Sequence, residues 1–215
     1  YHATAAKSWF AGSKKALTTF GGGFRHDDIR DIELSKAVKR AFLSFVQLGD
    51  LKETNTFLYI NQDIELSQRF QVNAGLRYDH FAFRYKDKLA RATSFSKQER
   101  GTLSPKLNIS YTPNQHVKLY LNNGIGFHSN DTRVILDNSA NDILPKVFGT
   151  DLGIILKPAK YLILKTAFWH LYSEQEFVYV GDAGIVEPGG KTRRMGIDLS
   201  ARYQFNRWLF ADWDI

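Results

Sequence analysis

Residues that could carry acid–base, nucleophilic or metal chemistry are few and widely spaced in this sequence. Cysteine is absent, which excludes a disulfide framework, a thiolate metal site and a cysteine nucleophile. The histidines show neither the His-x-x-x-His spacing of zinc sites nor a related spacing. They are His2, His26, His80, His116, His128 and His170. The sequence therefore predicts neither a metal site nor a cofactor.

Two other groups of residues resemble functional motifs but lack a necessary part. The acidic residues within 27–31 match the start of a calcium loop, yet the glycine and the terminal glutamate of that loop are missing. His128, Ser129 and Asp131 are the residue types of a hydrolase triad, but they are neighbours in sequence, whereas a triad is assembled in space. We therefore predict that the chain is not an enzyme. A barrel-embedded hydrolase using His128 and Ser129 is kept as an alternative.

The composition is compatible with a β-rich protein that faces both water and lipid. Aromatic residues make up 14% of the chain, and the mean hydropathy is −0.33. No apolar run approaches the ~18 residues of a membrane helix. A barrel strand shows lipid only every second side chain, so its average hydropathy is expected to be near neutral. A soluble β-sandwich binding module has the same composition and stays open as an alternative.

The basic character of the chain indicates an anionic partner. The formal net charge is +7, and the pI is about 9.5. The 29 lysines and arginines are spread along the sequence without a dense block. This distribution favours phosphate-rich lipopolysaccharide at the rim of a barrel, and we predict no binding to nucleic acid.

Alternation of apolar and polar residues is the dominant pattern along the chain. In 103–111 the odd positions are Leu103, Pro105, Leu107, Ile109 and Tyr111, and the even positions are Ser104, Lys106, Asn108 and Ser110. The same period recurs in 70–79, in 196–205 and in 117–128, where Asn123 is an exception on the apolar side. A period of two indicates strands with one apolar and one polar face. The polar faces suit a water-filled interior better than the second layer of a dry sandwich.

Short and long connections alternate between the predicted strands. Tight turns are predicted at 67–68, 112–115, 157–160 and 206–207, and longer polar loops at roughly 28–52, 87–101, 129–146 and 181–192. Outer-membrane barrels have this layout, with short periplasmic turns and long extracellular loops. The predicted strands also exceed the ~9–11 residues that cross a bilayer at a tilt.

Two features need separate interpretation. Apolar residues recur at helical spacing in 33–48, so an amphipathic helix competes there with our interpretation of a strand end plus loop.

Aromatic residues are expected to form girdles at both membrane interfaces. The girdle near the short turns would contain Tyr111, Tyr161, Tyr203, Phe205 and Trp208, and the girdle towards the long loops Phe81, Phe83, Tyr85, Phe127 and Tyr172.

Three stretches carry a family resemblance. They are Leu103-Ser104-Pro105-Lys106-Leu107, the run Asn123-Gly124-Ile125-Gly126-Phe127-His128-Ser129-Asn130-Asp131, and the segment from Gly181-Asp182-Ala183-Gly184 through Glu187-Pro188 to Arg193-Arg194-Met195-Gly196-Ile197-Asp198. The first resembles the start of a mid-barrel strand in TonB-dependent outer-membrane receptors. The second is similar to a strand of that family that ends in a Gly-x-Gly-Phe run, and the third to a loop and its returning strand.

The resemblance implies an all-β fold, an antiparallel transmembrane β-barrel. A plugged transporter barrel has ~22 strands, whereas about ten can be counted here. An open ten-strand sheet with lipid-facing edges does not suit a bilayer. Residues 1–215 are therefore expected to be part of a receptor barrel domain, with the N-terminal plug and the final strands outside this chain.

By resemblance, the protein would be a receptor and active transporter in the outer membrane of a Gram-negative bacterium. It would import a scarce ligand such as an iron-siderophore chelate, using the TonB energy-transducing complex through the plug. A passive porin-like channel has the same walls but no plug, and it is the principal alternative. Iron, cobalamin, saccharide and peptide cargo all fit at this level.

The resemblance and the predicted loop positions nominate seven residues for binding a small-molecule or chelate ligand. They are His128, Asp131, Arg133, Arg193, Arg194, Arg77 and Arg202. Arg77 and Arg202 would line the interior if the alternation holds. Forked basic donors suit anionic chelates and phosphates. The same residues could instead form salt bridges between loops or contact lipopolysaccharide.

Overall fold

The computed structural model describes residues 1–12, 14–90, 94–128, 143–180 and 185–215. Within these ranges the chain forms twelve strands, and no helix there is long and apolar enough to cross a membrane. The strands are β1 (His2–Ala11), β2 (Lys14–Val38), β3 (Ala41–Glu65), β4 (Phe70–Asp87), β5 (Ser96–Asn114), β6 (Val117–Phe127), β7 (Lys146–Ala159), β8 (Leu162–Ser173), β9 (Phe177–Val180), β10 (Ile185–Pro188), β11 (Thr192–Gln204) and β12 (Phe210–Asp214).

Ten of these strands form one antiparallel sheet. Its order is β1-β2-β3-β4-β5-β6-β7-β8-β11-β12, so each strand lies beside its neighbour in sequence apart from a short insertion. That insertion is the separate β9–β10 hairpin between β8 and β11. The predicted all-β fold with about ten antiparallel strands is confirmed.

The register aligns the predicted apolar positions of successive strands on one side, termed the apolar face. Leu121 pairs with Leu152, which in turn pairs with Phe168. Further members are Leu58, Ile60, Leu76, Leu103, Leu107, Ile197 and Leu199. Leu152 is 57% exposed and Ile197 is 64% exposed, and water would be a poor environment for so continuous a surface. The apolar face therefore suits contact with lipid.

Asn123, the exception in the β6 alternation, forms part of a polar row on this face. Its Nδ2 donates a hydrogen bond to Oγ1 of Thr150 at 2.6 Å, and Thr150 pairs with His170 on the following strand. The row is two residues further along β6 than the pair that Leu121 makes with Leu152. The amide is therefore satisfied by its neighbour and leaves the strand register intact.

The opposite side of the sheet, termed the polar face, carries charged, amide and glycine residues. Its members include Tyr59, Asn61, Asp63, Asn73, Arg77, Asp79, Lys106, Asn108, Asn122, Asp151 and Arg202. Successive side chains of a strand point to opposite faces, so the even–odd pattern of the sequence passes directly into the two faces. The polar interior predicted from the alternation is consistent with this arrangement.

One end of the sheet, the short-turn end, holds the tight connections that were predicted. Only 66–69 separate β3 from β4, 115–116 separate β5 from β6, and 160–161 separate β7 from β8. Aromatic residues cluster here as expected. The Tyr203 ring lies 5.3 Å from that of Tyr161 and 4.7 Å from that of Phe205, measured between centroids.

At the other end, the long-hairpin end, the prediction of a loop over 28–52 is wrong. Strands β2 and β3 continue for 25 residues each and meet at the two-residue turn Lys39-Arg40. The helical alternative for 33–48 is wrong for the same reason. Bulges shift the register three times along β2 between Ile29 and Ala37. Each bulge adds a residue to a strand, which spaces apolar residues three or four apart without a helix.

Lys88 fixes the base of this long hairpin. Its Nζ lies 2.5 Å from Oδ1 of Asp31 on β2 and 2.6 Å from Oδ1 of Asp50 on β3. Its backbone N–H also donates to the carbonyl oxygen of Leu48 at 2.9 Å. Hydrogen bonding to the two carboxylates raises the pKa of Lys88, and the Lys88 ammonium lowers the pKa of Asp50. One cation therefore joins both hairpin strands to the end of β4.

Replacing Lys88 with methionine is expected to loosen the hairpin above this point. The chain has no cysteine, so a single spin label at Ser44→Cys reports the motion of the hairpin by electron paramagnetic resonance. The label should become more mobile in the Lys88→Met variant, while Lys97→Met on β5 should leave its spectrum unchanged. Equal mobility in all three proteins would show that Lys88 does not hold the hairpin.

The same label should show a plateau with pH. Asp50 has a lowered folded pKa, so its contribution is present above its ordinary value of 3.8 and is lost as pH falls through the lowered value. Lys88 has a raised folded pKa, so its contribution is present below 10.5 and is lost as pH rises through the raised value. Mobility should therefore stay low between these limits and rise on either side.

The aromatic prediction for the long-hairpin end needs a correction. Phe81 is 5% exposed and Phe83 is 0% exposed, and both share the polar face with Asp79. They form a buried cluster with Ile143 and Leu144, so they are not part of a lipid-facing girdle. The cluster lies where the β5–β6 pairing stops at Lys106–Gly124, and Phe127 contributes an edge-on ring 5.6 Å from Phe81.

Candidate functional site

Asp79 on β4 is the one charged side chain that is fully buried among the described residues. Arg77, two positions earlier, donates from Nε to Oδ2 and from Nη2 to Oδ1, both at 2.7 Å. Asn55 adds a donor to Oδ1 at 3.2 Å. The guanidinium also lies over the Phe57 ring, 4.0 Å from its centroid. This bidentate pair fixes the position of a cation on the polar face.

A groove of about 550 Å³ opens on the sheet beside this pair. Its lining includes Arg77, Tyr59 and Lys106 from the polar face, together with Ile60, Leu76 and Pro105 from the same strands. Ser104 lines the same groove, and its Oγ is buried without a hydrogen-bond partner in the described part of the chain. The groove therefore combines the Lys106 ammonium with further donors from Arg77 and Tyr59, which suit an oxygen-rich anion.

A ladder of amides crosses three strands below this groove. Asn108 donates to Oδ1 of Asn73 at 3.1 Å, and Asn73 donates to Oδ1 of Asp63 at 2.6 Å. Asn61 donates to Oδ2 of Asp63 at 3.0 Å, so both oxygens of the carboxylate are occupied. These side chains satisfy one another, so the ladder stiffens the wall and has little free capacity for a ligand.

Rings lie over glycines on the polar face. Gly21 pairs with Tyr59, Gly153 with Tyr120, and Gly196 with Trp169. A Cβ added at any of the three glycines would come within 2.3–2.6 Å of the ring that covers it. Glycine is required because the ring occupies the space of its missing side chain. The Trp169 indole is held further by a hydrogen bond of 3.0 Å to Asp198.

Other glycines on the polar face are not covered by a neighbouring side chain. A Cβ at Gly126 would meet nothing within 4 Å, and a Cβ at Gly124 or Gly149 would meet only ordinary contacts of 3.6 Å or more. These positions form the floor of a second groove of about 610 Å³, whose lining includes His128 and Lys106. Bare glycines of this kind allow a ligand or another backbone to approach closely.

Lys106 is common to both grooves. Its side chain extends across Gly75, where an added Cβ would come within 2.6 Å of Cε. No carboxylate lies within ion-pair distance of Lys106 among the residues that the structure describes. Within that part of the chain, Lys106 therefore presents a positive charge without an ion-pair partner between the two grooves. No cluster of three or more potential metal ligands exists in the same described ranges.

A comparison with protein families identifies the family to which this sheet belongs. The family described as "TonB dependent receptor-like, beta-barrel" matches residues 2–214. The chain belongs to the TonB-dependent receptor β-barrel family. Members of that family are outer-membrane receptors rather than enzymes. No curated protein sequence matches the chain.

Solved structures show the same barrel fold. The chain superposes on the ferric citrate transporter FecA in its unliganded form with a TM-score of 0.76 and 14% identity, over 94% of this chain and 31% of FecA. The ferric-catecholate import receptor Fiu from Escherichia coli K12 gives 0.64 and 14%, over 96% of this chain and 35% of Fiu. The copper transporter OprC gives 0.67 and 15%, over 94% and 34%.

The receptor chain thus spans about a third of the length of the structures that it matches. Its sheet is part of a TonB-dependent receptor barrel, so the apolar face is the outside of the wall and the polar face is the inside. The family expected from the sequence is confirmed.

The receptor wall keeps the predicted interior arginines far apart. Arg77 and Arg202 both lie on the polar face, as the alternation required. They stand on β4 and β11, which are five strand spacings apart, or about 24 Å at ~4.8 Å per spacing. Arg202 donates to Asp212 at 2.6 and 2.8 Å in a pair that is exposed to solvent, unlike the pair of Arg77.

The two adjacent arginines of β11 face opposite ways. Arg194 points to the inside, where its Nη2 binds both carboxylate oxygens of Glu176. Arg193 lies on the apolar face, and its Nε donates to Nε2 of His170 at 3.0 Å. The two residues therefore cannot serve one interior ligand together, and Arg193 is placed to meet groups outside the wall.

His128 is the remaining predicted residue within the described ranges. It follows β6 at the long-hairpin end, and its backbone N–H donates to the carbonyl oxygen of Pro145 at 3.1 Å. Its side chain lines the second groove. Asp131 and Arg133 lie outside the described residues. The structure thus places Arg77 and His128 on the two grooves that Lys106 joins.

Lys106 was missed as a site residue although the sequence contained a signal for it. It stands on the polar side of the alternation in 103–111, within the Ser-Pro-Lys-Leu stretch of the family resemblance. Its lack of a carboxylate partner depends on the register of β4, β5 and β6, which sequence periodicity does not provide. Tyr59 was missed because only histidine, aspartate and arginine residues were nominated, and its position beside Arg77 depends on the pairing of β3 with β4.

Proposed function

We propose that this chain is the wall of an energy-coupled outer-membrane receptor that imports an anionic metal chelate, such as a ferric siderophore. The observation that carries the proposal is the uncompensated Lys106 between two interior grooves. An ammonium that has no counterion among the described residues attracts an anion on a water-filled wall and can donate three hydrogen bonds to it.

The surroundings of Lys106 support a chelate of substantial size. The grooves have volumes of about 550 and 610 Å³, within the range of small-molecule sites. Arg77, whose charge is balanced by Asp79, supplies further preorganised hydrogen-bond donors, and Gly124 and Gly126 let a flat or bulky group approach the backbone. A multiply charged, oxygen-rich ligand satisfies these features together.

The structural neighbours support a metal cargo without specifying it. FecA is a transporter of ferric citrate, Fiu an import receptor for ferric catecholate, and OprC a copper transporter. Their shared fold at 14–15% identity is compatible with several chelates. An iron chelate is the cargo proposed here because the proposed site favours polyanions.

The proposed partners are the TonB complex and lipopolysaccharide. Coupling to TonB would act through a plug domain that is outside this chain. Arg193 lies on the outside of the wall beside His170, and its guanidinium would bind a lipid phosphate. The basic net charge of +7 supports the same assignment.

Uptake by cells that carry the complete receptor tests the proposal. Cells lacking the gene should grow poorly under iron limitation on ferric citrate, on a ferric catecholate or on both, and the gene should restore growth. Uptake of radiolabelled iron should stop when TonB is removed or the proton-motive force is collapsed. Uptake that continues without energy would identify a passive channel, and growth on none of the chelates would overturn the iron assignment.

A lysine variant tests the site within the same assay. Lys106→Gln should weaken chelate binding about tenfold, the usual effect of losing one charge-assisted hydrogen bond. Lys118→Gln is the matched control, since Lys118 is an exposed lysine on the same face near the short-turn end. Equal binding by the two variants would remove Lys106 from the site.

A further inference from the structure

The end of the β2–β3 hairpin, residues 34–48 and here termed the hairpin tip, extends beyond the last residue pair that joins β3 to β4. The last pair between β3 and β4 is Gly49–Asp87, whereas β2 and β3 stay paired up to Val38–Ala41. The tip therefore extends about 26 Å beyond β4, at ~3.3 Å per residue. Every residue from 35 to 45 is exposed.

The hairpin tip is apolar to a degree that water does not favour. Val38 is 55% exposed, Phe42 57%, Leu43 59% and Phe45 41%. The rings of Phe42 and Phe45 lie 4.8 Å apart between centroids and form a single aromatic knob. An isolated two-stranded hairpin is marginally stable in water, and exposed apolar groups of this kind mark interaction sites.

The charges of the tip select one kind of partner. Lys36, Lys39 and Arg40 give it a charge of +3, and 34–49 contains no acidic residue. Two copies of the tip would repel each other, which disfavours self-association through this surface. An acidic surface with an apolar recess complements both properties.

The turn holds two of these basic side chains in a strained backbone conformation. Lys39 and Arg40 have φ values of 50° and 71°, in the left-handed region of a type I′ turn. Asn-Gly fills such turns at much lower cost. Retaining two long basic residues in this strained conformation is a feature typical of functional sites.

The membrane is out of reach of the tip. Ala41 lies seventeen residues along β3 from Leu58 on the lipid-facing surface, or roughly 55 Å at ~3.3 Å per residue. A strand tilt of about 45° still leaves the tip some 40 Å above that point. Lipid headgroups extend only ~5–8 Å beyond the hydrocarbon core. The favoured occupant is therefore a protein outside the bilayer.

We propose that the hairpin tip is a docking surface for a separate protein that presents an acidic, partly apolar surface outside the membrane. Phe42 and Phe45 would enter an apolar recess, while Lys36, Lys39 and Arg40 would contact carboxylates around it. The ion pairs of Lys88 hold the base of the hairpin and so present the tip at a defined height. The proposal uses the proposed function only for the orientation of this end towards the cell exterior.

Photo-cross-linking in living cells tests this proposal. A benzophenone amino acid replaces Phe42 in the complete receptor in its own outer membrane, and the same replacement of lipid-facing Phe168 is the control. We expect position 42, and not position 168, to form an adduct with a second, acidic polypeptide. An adduct with another part of the receptor, with a second receptor copy or with lipopolysaccharide would overturn the proposal, as would no adduct at all.

Binding of that polypeptide to the purified complete receptor provides the quantitative test. The triple variant Lys36→Glu, Lys39→Glu, Arg40→Glu should weaken binding by roughly tenfold or more and reverse its salt dependence, because salt then screens a repulsion. The variant Lys14→Glu, Lys157→Glu, Lys160→Glu makes the same charge change at the short-turn end and should bind normally. Equal binding by the two variants would contradict the proposal.

The tip variant separates the two proposals. Uptake of a freely supplied ferric chelate should be unchanged in it, because the tip lies outside the interior grooves. If chelate uptake is absent from the unmodified receptor while the cross-link is found, the proposed cargo fails and the docking surface stands.

Discussion

Replacing Arg77 with alanine is expected to lower the free energy of unfolding by about 3 kcal/mol, because it leaves the carboxylate of Asp79 buried without its cation. This value is at the low end for broken buried pairs, since Asn55 still donates to the carboxylate and the Arg77 side chain is itself 42% exposed. Urea unfolding of the complete receptor in lipid vesicles, followed by tryptophan fluorescence, would measure the change.

Arg202 provides the matched control for this experiment. It makes the same bidentate contact with Asp212 on the same face, but solvent screens both partners. Arg202→Ala should therefore have little effect. The double variant Arg77→Ala, Asp79→Leu should recover most of the lost stability, because it removes the buried charge as well. Equal losses for Arg77→Ala and Arg202→Ala would show that Asp79 is effectively solvated.

Placing an arginine at Leu107 should destabilise the receptor by about 2–4 kcal/mol, because this position faces the middle of the bilayer. Leu107 is the central of the five apolar-side residues of β5 and is 45% exposed. Ser110→Arg, three residues further on the polar face, should change stability by less than ~1 kcal/mol. The same unfolding assay in vesicles compares them, and equal effects would mean that the faces are not divided between lipid and water.

The division into two faces could be predicted from sequence because strands have a strict period of two. From Leu103 to Tyr111 the side chains lie on the faces that the alternation predicted. Asn123 also lies on the apolar face, as predicted. The position of Arg77 and Asp79 on a common face followed from the same rule. The full burial of Asp79 did not, because it depends on side chains brought from neighbouring strands.

The predictions were wrong where the residue spacing along a strand does not reveal the contacts that distant parts of the chain make. Bulges in the β2–β3 hairpin mimicked helical spacing within 33–48, since each inserts an extra residue into the alternation of one of its two strands. Phe81 and Phe83 were assigned to a girdle from their nearness to a loop. Ile143 and Leu144, some sixty residues later, cover them instead. The grooves were not predictable for a related reason, because they arise from side chains on strands distant in sequence.

The ring-over-glycine pairs have a consequence for how the wall assembles. A slip of two residues keeps every side chain on its own face, so the apolar pattern alone does not penalise it. Such a slip would set Tyr120 against Asp151 or Ile155, and Trp169 against Arg194 or Asp198, where no glycine makes room for the ring. The pairs therefore favour the correct register between neighbouring strands. In a misaligned barrel the rings would clash, although partitioning of the apolar side chains into lipid would be the same.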